Sequence, residues 1–205
     1  MSIRLCLSLV TASTIVVLGC GQNAQPVGPS LTPSVVVRND TAPTGTTGSL
    51  AALVAGVEHT VSLFDACDPE TFNAALGAGT CIRSGGMRFE NFLAELGSHH
   101  SVGAWHMAPG VVQMQVGQKL VAINNGGETH TFTEVDEFGG GIIPVLNDLG
   151  GFGPTAPECN QLPPGAMLAP GARSSETEEE GGVEKYQCCI HPWMRAEVRI
   201  AEKEK

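Results

Sequence analysis

Tyr186-Gln187-Cys188-Cys189-Ile190-His191-Pro192-Trp193-Met194-Arg195 is the stretch on which the reading of this chain turns. It sets a thiolate, an imidazole and a thioether at C-x-x-H-x-x-M spacing, three ligand types of a mononuclear type 1 copper site. The residues that follow, Ala196, Val198 and Ile200 alternating with Glu197 and Arg199, carry the period of a half-buried strand. A second imidazole is still needed. His130, inside the β-branched and aromatic run Thr129-His130-Thr131-Phe132-Thr133, is placed to supply it.

The residues upstream of the ligand loop are written for strands. Val112, Met114 and Val116 alternate with Gln113 and Gln115, Gly117-Gln118 offers a turn, and the apolar run Leu120 to Ile123 closes on Asn124-Asn125-Gly126-Gly127. Short strands between Gly, Pro and Asn-rich turns predict an antiparallel sandwich of about 100 residues. Two helices come first. Asp68 as N-cap, Pro69 at the first helical position and Gly77 at the end frame one. Phe89, Phe92, Leu93 and Leu96, spaced i, i+3, i+4, i+7 and followed by Gly97, write the other. The sequence therefore predicts a mainly β chain, with a short helical appendage over residues 50–106 and a β domain over residues 107–203.

Arg4 and the apolar run Leu5 to Leu18 predict a secretory signal over residues 1–19. Val17-Leu18-Gly19-Cys20 resembles the lipobox of bacterial lipoproteins, which implies a lipidated Cys20; an ordinary cleaved signal with an incidental cysteine is the alternative. Residues 20–49 are rich in Pro, Thr, Gly, Ser, Asn and Gln and read as a disordered tether. The expected location is extracytoplasmic, in the periplasm or cell envelope, with the lipid anchor as the only membrane contact. Lys and Arg total 11 against 21 Asp and Glu, a formal net charge of −10, which argues against nucleic acid as a partner. Glu176, Glu178, Glu179 and Glu180 read as a solvated loop, or alternatively as a docking patch for a basic partner.

Of 7 cysteines, Cys6 leaves with the signal and Cys20 is the anchor. Cys67, Cys81, Cys159, Cys188 and Cys189 remain. In an oxidising compartment thiols pair, so two disulfides and one spare thiol are expected. Cys67 with Cys81, bracketing the first helix, is the preferred pair, and Cys159 joins one of the two adjacent cysteines. The spare thiol is what a copper site requires.

Residues 186–195 with the alternating terminal strand resemble the ligand loop of the cupredoxin family, closest to its amicyanin and plastocyanin-like group and most of all to the short C-x-x-H-P-x-M-R form of the amicyanins. Asn124 to His130 resembles the segment that delivers the first histidine of that family. The resemblance spans about residues 107–203, with a long insertion before the ligand loop. It implies a Greek-key β-sandwich holding one copper ion on His130, Cys188 and His191, with Met194 as a weak axial ligand. Strand alternation puts Tyr186 and Cys188 on one face and Gln187 and Cys189 on the other. With the first pair inward, Cys188 meets the metal and Cys189 reaches Cys159; the reverse gives a C-x-H loop one residue shorter than those of the family. The resemblance also implies that His191 reaches solvent through an apolar patch that includes Pro192 and Trp193, where a redox partner docks. Thr131 stands where relatives carry an asparagine tying the two ligand loops.

The expected function is one-electron transfer between partner proteins, without substrate chemistry. The alternative is a copper storage or handling module. A copper oxidase or nitrite reductase subunit needs further histidine pairs, and only His59, His99, His100 and His106 are to spare. A structural zinc site would use cysteine and histidine but would leave Met194 idle. His59, His99, His100 and His106 read as surface or capping residues, with a second copper-capturing cluster of His99, His100, His106, Met107 and Met114 as the alternative. Gly139-Gly140-Gly141 lacks the lysine of a phosphate loop and reads as a flexible turn near the site.

Overall fold

A computed structural model of the chain describes residues 56–202. The expected signal, the lipobox cysteine and the tether lie outside the described residues. In chain order the elements are β1 (Glu58–Phe64), α1 (Pro69–Leu76), α2 (Phe89–His99), β2 (His106–Ala108), β3 (Val111–Gln115), β4 (Lys119–Asn124), β5 (His130–Thr131) and β6 (Thr133–Val135). After these come α3 (Pro144–Gly150), a 3-10 turn at Pro157–Gln161, β7 (Met167–Leu168), β8 (Arg173–Thr177), β9 (Gly182–Gln187) and β10 (Arg195–Ala201).

One four-stranded sheet has the order β2-β1-β4-β8 and a second the order β3-β10-β9-β6, with β5 and β7 forming a short ribbon. Alternation along the strands aims one side chain in two at a shared core. Val61, Leu63, Leu120 and Ala122 of the first sheet join Val112, Met114, Tyr186, Val198 and Ile200 of the second in one buried cluster. The chain is therefore mainly β, with the layered arrangement the alternation predicts. The strands are not all antiparallel, however: β1 runs parallel to β4, and β10 parallel to β3. β1 is also a strand the sequence did not announce, so the segment expected as a helical appendage also supplies a strand to the first sheet. Parallel partners are not joined by a hairpin, and no turn residues mark the pairing.

Both helices form where the sequence places them. In α1 the Asp68 carboxylate accepts from the Thr71 N–H at 3.1 Å and from its hydroxyl at 2.7 Å, and Gly77 N–H closes the other end on Asn73 O. α2 runs past the expected stop at Gly97 to His99; His100, in the left-handed region at φ 59°, ends it by donating to Leu96 O. Phe72 of α1 stacks on Trp105, and Phe92 of α2 packs tilted against the same indole at 4.8 Å. Each such buried ring stabilises the fold by about 1.5–3 kcal/mol relative to exposure.

The remaining cysteines pair as Cys67–Cys81 and Cys159–Cys189, leaving Cys188 as the free thiol among the described residues. Gly139-Gly140-Gly141, expected to be a flexible turn, is clamped. Gly139 N–H donates to Gln187 Oε1, Gly140 N–H to Pro154 O and Gly141 N–H to Asn147 Oδ1. The acidic run is no plain solvated loop either: Glu176 lies in β8, and Glu178 is buried at the end of the strand.

Candidate metal centre

Three segments converge at one end of the molecule. β9 runs into Cys188, whose N–H donates to Met194 O at 3.0 Å, while Met194 N–H donates to His191 O at 2.9 Å. These bonds close residues 188–194 into a tight turn that returns the chain into β10. His130 arrives on β5 from the turn after β4. Asn124, fully buried, shapes that turn: its Nδ2 donates to Glu128 O and Leu168 O, both at 2.7 Å, and its Oδ1 accepts from Gly126 N–H. Gly126 and Gly127 have to be glycines here, because a Cβ on the first would run into the Asp65 carboxylate and one on the second into Cys67 Sγ.

His130, Cys188 and His191 are buried and present their ligating atoms to one point. His130 Nδ1 lies 3.8 Å and His191 Nδ1 3.9 Å from Cys188 Sγ. Metal bonds of ~2.0 Å to nitrogen and ~2.3 Å to sulfur, opened to ~120°, would set the two donor atoms ~3.7 Å apart. The donor set and its spacing fit one shared metal ion, and one thiolate with two imidazoles in a trigonal arrangement is the set that suits copper. The Met194 side chain is fully buried in the same turn.

Each imidazole turns its other nitrogen toward a carboxylate. His130 Nε2 lies 2.9 Å from Asp65 Oδ2, and His191 Nε2 3.7 Å from Glu128 Oε2. Asp65, just beyond β1, also accepts from the N–H groups of Gly127 and Glu128. Thr131 joins the two ligand loops, its hydroxyl accepting from Cys189 N–H at 2.8 Å and its own N–H pointing at Cys188 Sγ at 3.4 Å.

The charges follow from these contacts. Burial pushes the Cys188 thiol up, but the hydrogen bonds and charge of His130 and His191 more than reverse this and hold it well below the ordinary thiol range. The thiolate is the ligating form. Burial lowers His130, yet Asp65 and Cys188 together raise it to about 9. Burial acts to raise Asp65, while the His130 imidazole and the Glu128 and Gly127 amides bring it down to about 2. Burial raises Glu128, against the opposing pull of His191 and of the Trp105 indole.

The ligand loop differs from expectation at its surface. His191 is only 4% exposed, Pro192 is buried and Trp193 is half-buried. Phe92, Trp105 and Trp193 pack around the imidazole, with ring centroids at 6.3, 6.4 and 5.4 Å. The apolar side of α2, which the periodicity identified, packs against the His191 imidazole through Phe92. His99, His100 and His106 are exposed, and neither metal-ligating group found among the described residues includes them. The second such group, Asp65 with Cys67 and Glu128, is committed elsewhere, since Cys67 is in a disulfide and Asp65 serves His130.

No protein-family model matches the chain, and no curated protein matches it. Solved structures similar to it include a purple cupredoxin from Nitrosopumilus maritimus, at 25% identity over 49% of this chain and 86% of that one, with a TM-score of 0.36. A mutant amicyanin in the Cu(I) form is similar at 21% identity, over 47% of this chain and 73% of that one, with a TM-score of 0.32. The metal reading rests on the side chains themselves.

Asp65, Glu128, Trp105 and Phe92 had not been singled out as site residues from sequence. Glu128, two residues before His130, carried one usable signal: in an extended segment it shares a face with the candidate ligand His130.

Proposed function

We propose that the protein carries single electrons through one type 1 copper ion held by His130, Cys188 and His191, with Met194 as the weak axial ligand. The convergence of one buried thiol sulfur and two imidazole Nδ1 atoms supports this reading. Copper bound there would supply a one-electron couple with little rearrangement between its two states. The chain does the rest: Asp65 fixes the ring of His130, Thr131 holds the two ligand loops in register, and the β9–β10 pair anchors both ends of the 188–194 turn. No substrate chemistry belongs to this function, and redox partner proteins are the donor and acceptor. A Greek-key cupredoxin domain over residues 107–203, whose first sheet is completed by β1 of the 50–106 segment, tethered through a lipidated Cys20 in the periplasm or cell envelope, completes the proposal. Titration of metal-free protein with Cu(II) tests it through the thiolate-to-copper absorption band.

One observation favours a second reading, in which the protein stores or hands on copper. The imidazole edge through which electrons would leave is covered by Phe92 and Trp105. Copper transfer to a chelator much faster than electron self-exchange would select this alternative.

A further inference from the structure

We propose that the cleft between β8 of the first sheet and the β6–β9 edge of the second binds a linear aliphatic polyamine, whose ammonium groups meet carboxylates at successive depths. The cleft has a volume of about 650 Å³, within the ~300–1,000 Å³ of small-molecule sites. Glu134 of β6, Glu158 of the 3-10 turn and Glu176 of β8 line it, and among the described residues no lysine or arginine does. A cleft lined by one sign of charge concentrates the opposite ion.

Two buried oxygens in and below this cleft have no hydrogen-bond partner among the described residues. One is Glu158 Oε2, whose companion Oε1 accepts from Asp136 N–H. The other is Glu178 Oε1, on a side chain only 5% exposed. Glu178 follows β8, and its carboxylate faces Glu176 on that strand, Glu184 on β9 and Glu134 on β6. Tyr186 lies two residues beyond Glu184, on the same face of β9; it lines the cleft and donates its hydroxyl to Glu184 Oε2 at 2.8 Å. The tyrosine thus joins the cleft to the deeper carboxylates. A buried acceptor left unpaired is costly, a carboxylate only accepts, and an ammonium only donates. Burial, with the charges of Glu184 and Glu176, pushes Glu178 up to about 8. Without a counter-ion it holds a proton, which an arriving ammonium group displaces to solvent.

Spacing decides between a metal ion and an organic cation. Among the described residues, the two groups whose ligating atoms converge as one ion requires are those around Cys188 and Asp65. The carboxylates of the cleft are spread instead along the seam between the sheets, so the occupant carries its charges at separate points. Phe132, stacked on Tyr186 with ring centroids 4.3 Å apart, lines the cleft with Pro163 and Pro164. They give methylene groups an apolar wall and an ammonium group an aromatic neighbour.

The inference stands apart from the copper reading, because none of these side chains is a candidate ligand. The test is calorimetric titration of the full-length, metal-free protein with spermidine near neutral pH, in two buffers of different ionisation enthalpy, with butylamine and calcium chloride as comparators. The expected result is saturable one-to-one binding of spermidine, about tenfold or more tighter than either comparator, with a proton release that disappears in Glu178→Gln. Glu178→Gln and Glu158→Gln should each weaken spermidine about tenfold, the loss of one charge-assisted hydrogen bond; if one variant fails to fold, the other decides. Glu179→Gln and Glu180→Gln, exposed and equal in charge change, should leave affinity within about twofold. Absence of saturable spermidine binding, or equal weakening by all four substitutions, overturns the proposal, the second outcome assigning the binding to net charge alone. Calcium binding as tightly and displacing spermidine also overturns it and gives the seam to a metal ion. Proton release that persists in Glu178→Gln overturns the role given to Glu178.

Discussion

Asp65 Oδ2 lies 2.9 Å from His130 Nε2, and both side chains are shut off from solvent. The carboxylate that orients a candidate ligand therefore comes from the end of β1, outside the ligand motif. A hydrogen bond to the far nitrogen of a ligating histidine fixes its ring and raises its basicity, and losing it costs about 10–100-fold in metal affinity. Asp65→Asn is expected to weaken copper binding by that factor, read by competition with a chromophoric chelator. Unchanged affinity would remove Asp65 from the site.

Thr131→Val keeps the volume and deletes the hydroxyl that accepts from Cys189 N–H. The orphaned buried donor should cost about 1–3 kcal/mol of stability, with Thr131→Ser retaining most of it. Urea unfolding of the three proteins checks the order.

The Cys159–Cys189 bridge spans a sequence separation of 30. By loop-closure entropy its removal in a Cys159→Ala, Cys189→Ala double variant should cost about 3–4 kcal/mol, measured by the denaturation midpoint. The same variant should still bind copper through Cys188. If its charge-transfer band disappears, Cys189 has been the thiolate.

Burial, reinforced by Glu184, Glu176 and Glu134, pushes the Glu178 carboxyl up to about 8. The folded chain then keeps a proton that the unfolded chain releases near its ordinary value of 4.5. The native state binds more protons between those two values, so stability is highest below the window and falls as pH rises through it. Glu178→Gln, neutral at every pH, should flatten the slope and stabilise the protein near pH 8 by roughly 1–2 kcal/mol, discounted for the solvent around the exposed Glu176. Unfolding midpoints of both proteins across the window decide it. A parallel pH dependence in the variant would show that Glu178 is not the group responsible.

The ligand loop was legible because its information is local: the donor types and their spacing sit within residues 186–195, and alternation along β9 separates Cys188 from Cys189. α1 was legible for the same reason, since Asp68, Pro69 and Gly77 are contiguous signals of one helix. β1 was not, because its partner β4 is parallel and distant in sequence, leaving no hairpin turn to read. Asp65 and Glu128 act through contacts made only after the strands are in register, and a lone carboxylate carries no spacing rule. The apolar side of α2 was read correctly as a helix face. Periodicity cannot tell whether such a face packs on a sheet or over a ligand imidazole, and so the packing of Phe92 against the His191 imidazole emerged only with the fold.

The visible and electron paramagnetic resonance spectra of the copper-titrated protein, taken beside Cys188→Ser, test the proposed centre most directly. An intense thiolate-to-copper band with narrow copper hyperfine splitting, saturating at one ion per chain and lost in Cys188→Ser, is the predicted result. A chain that takes up copper without that band, or keeps the band after the substitution, would contradict a type 1 site on Cys188.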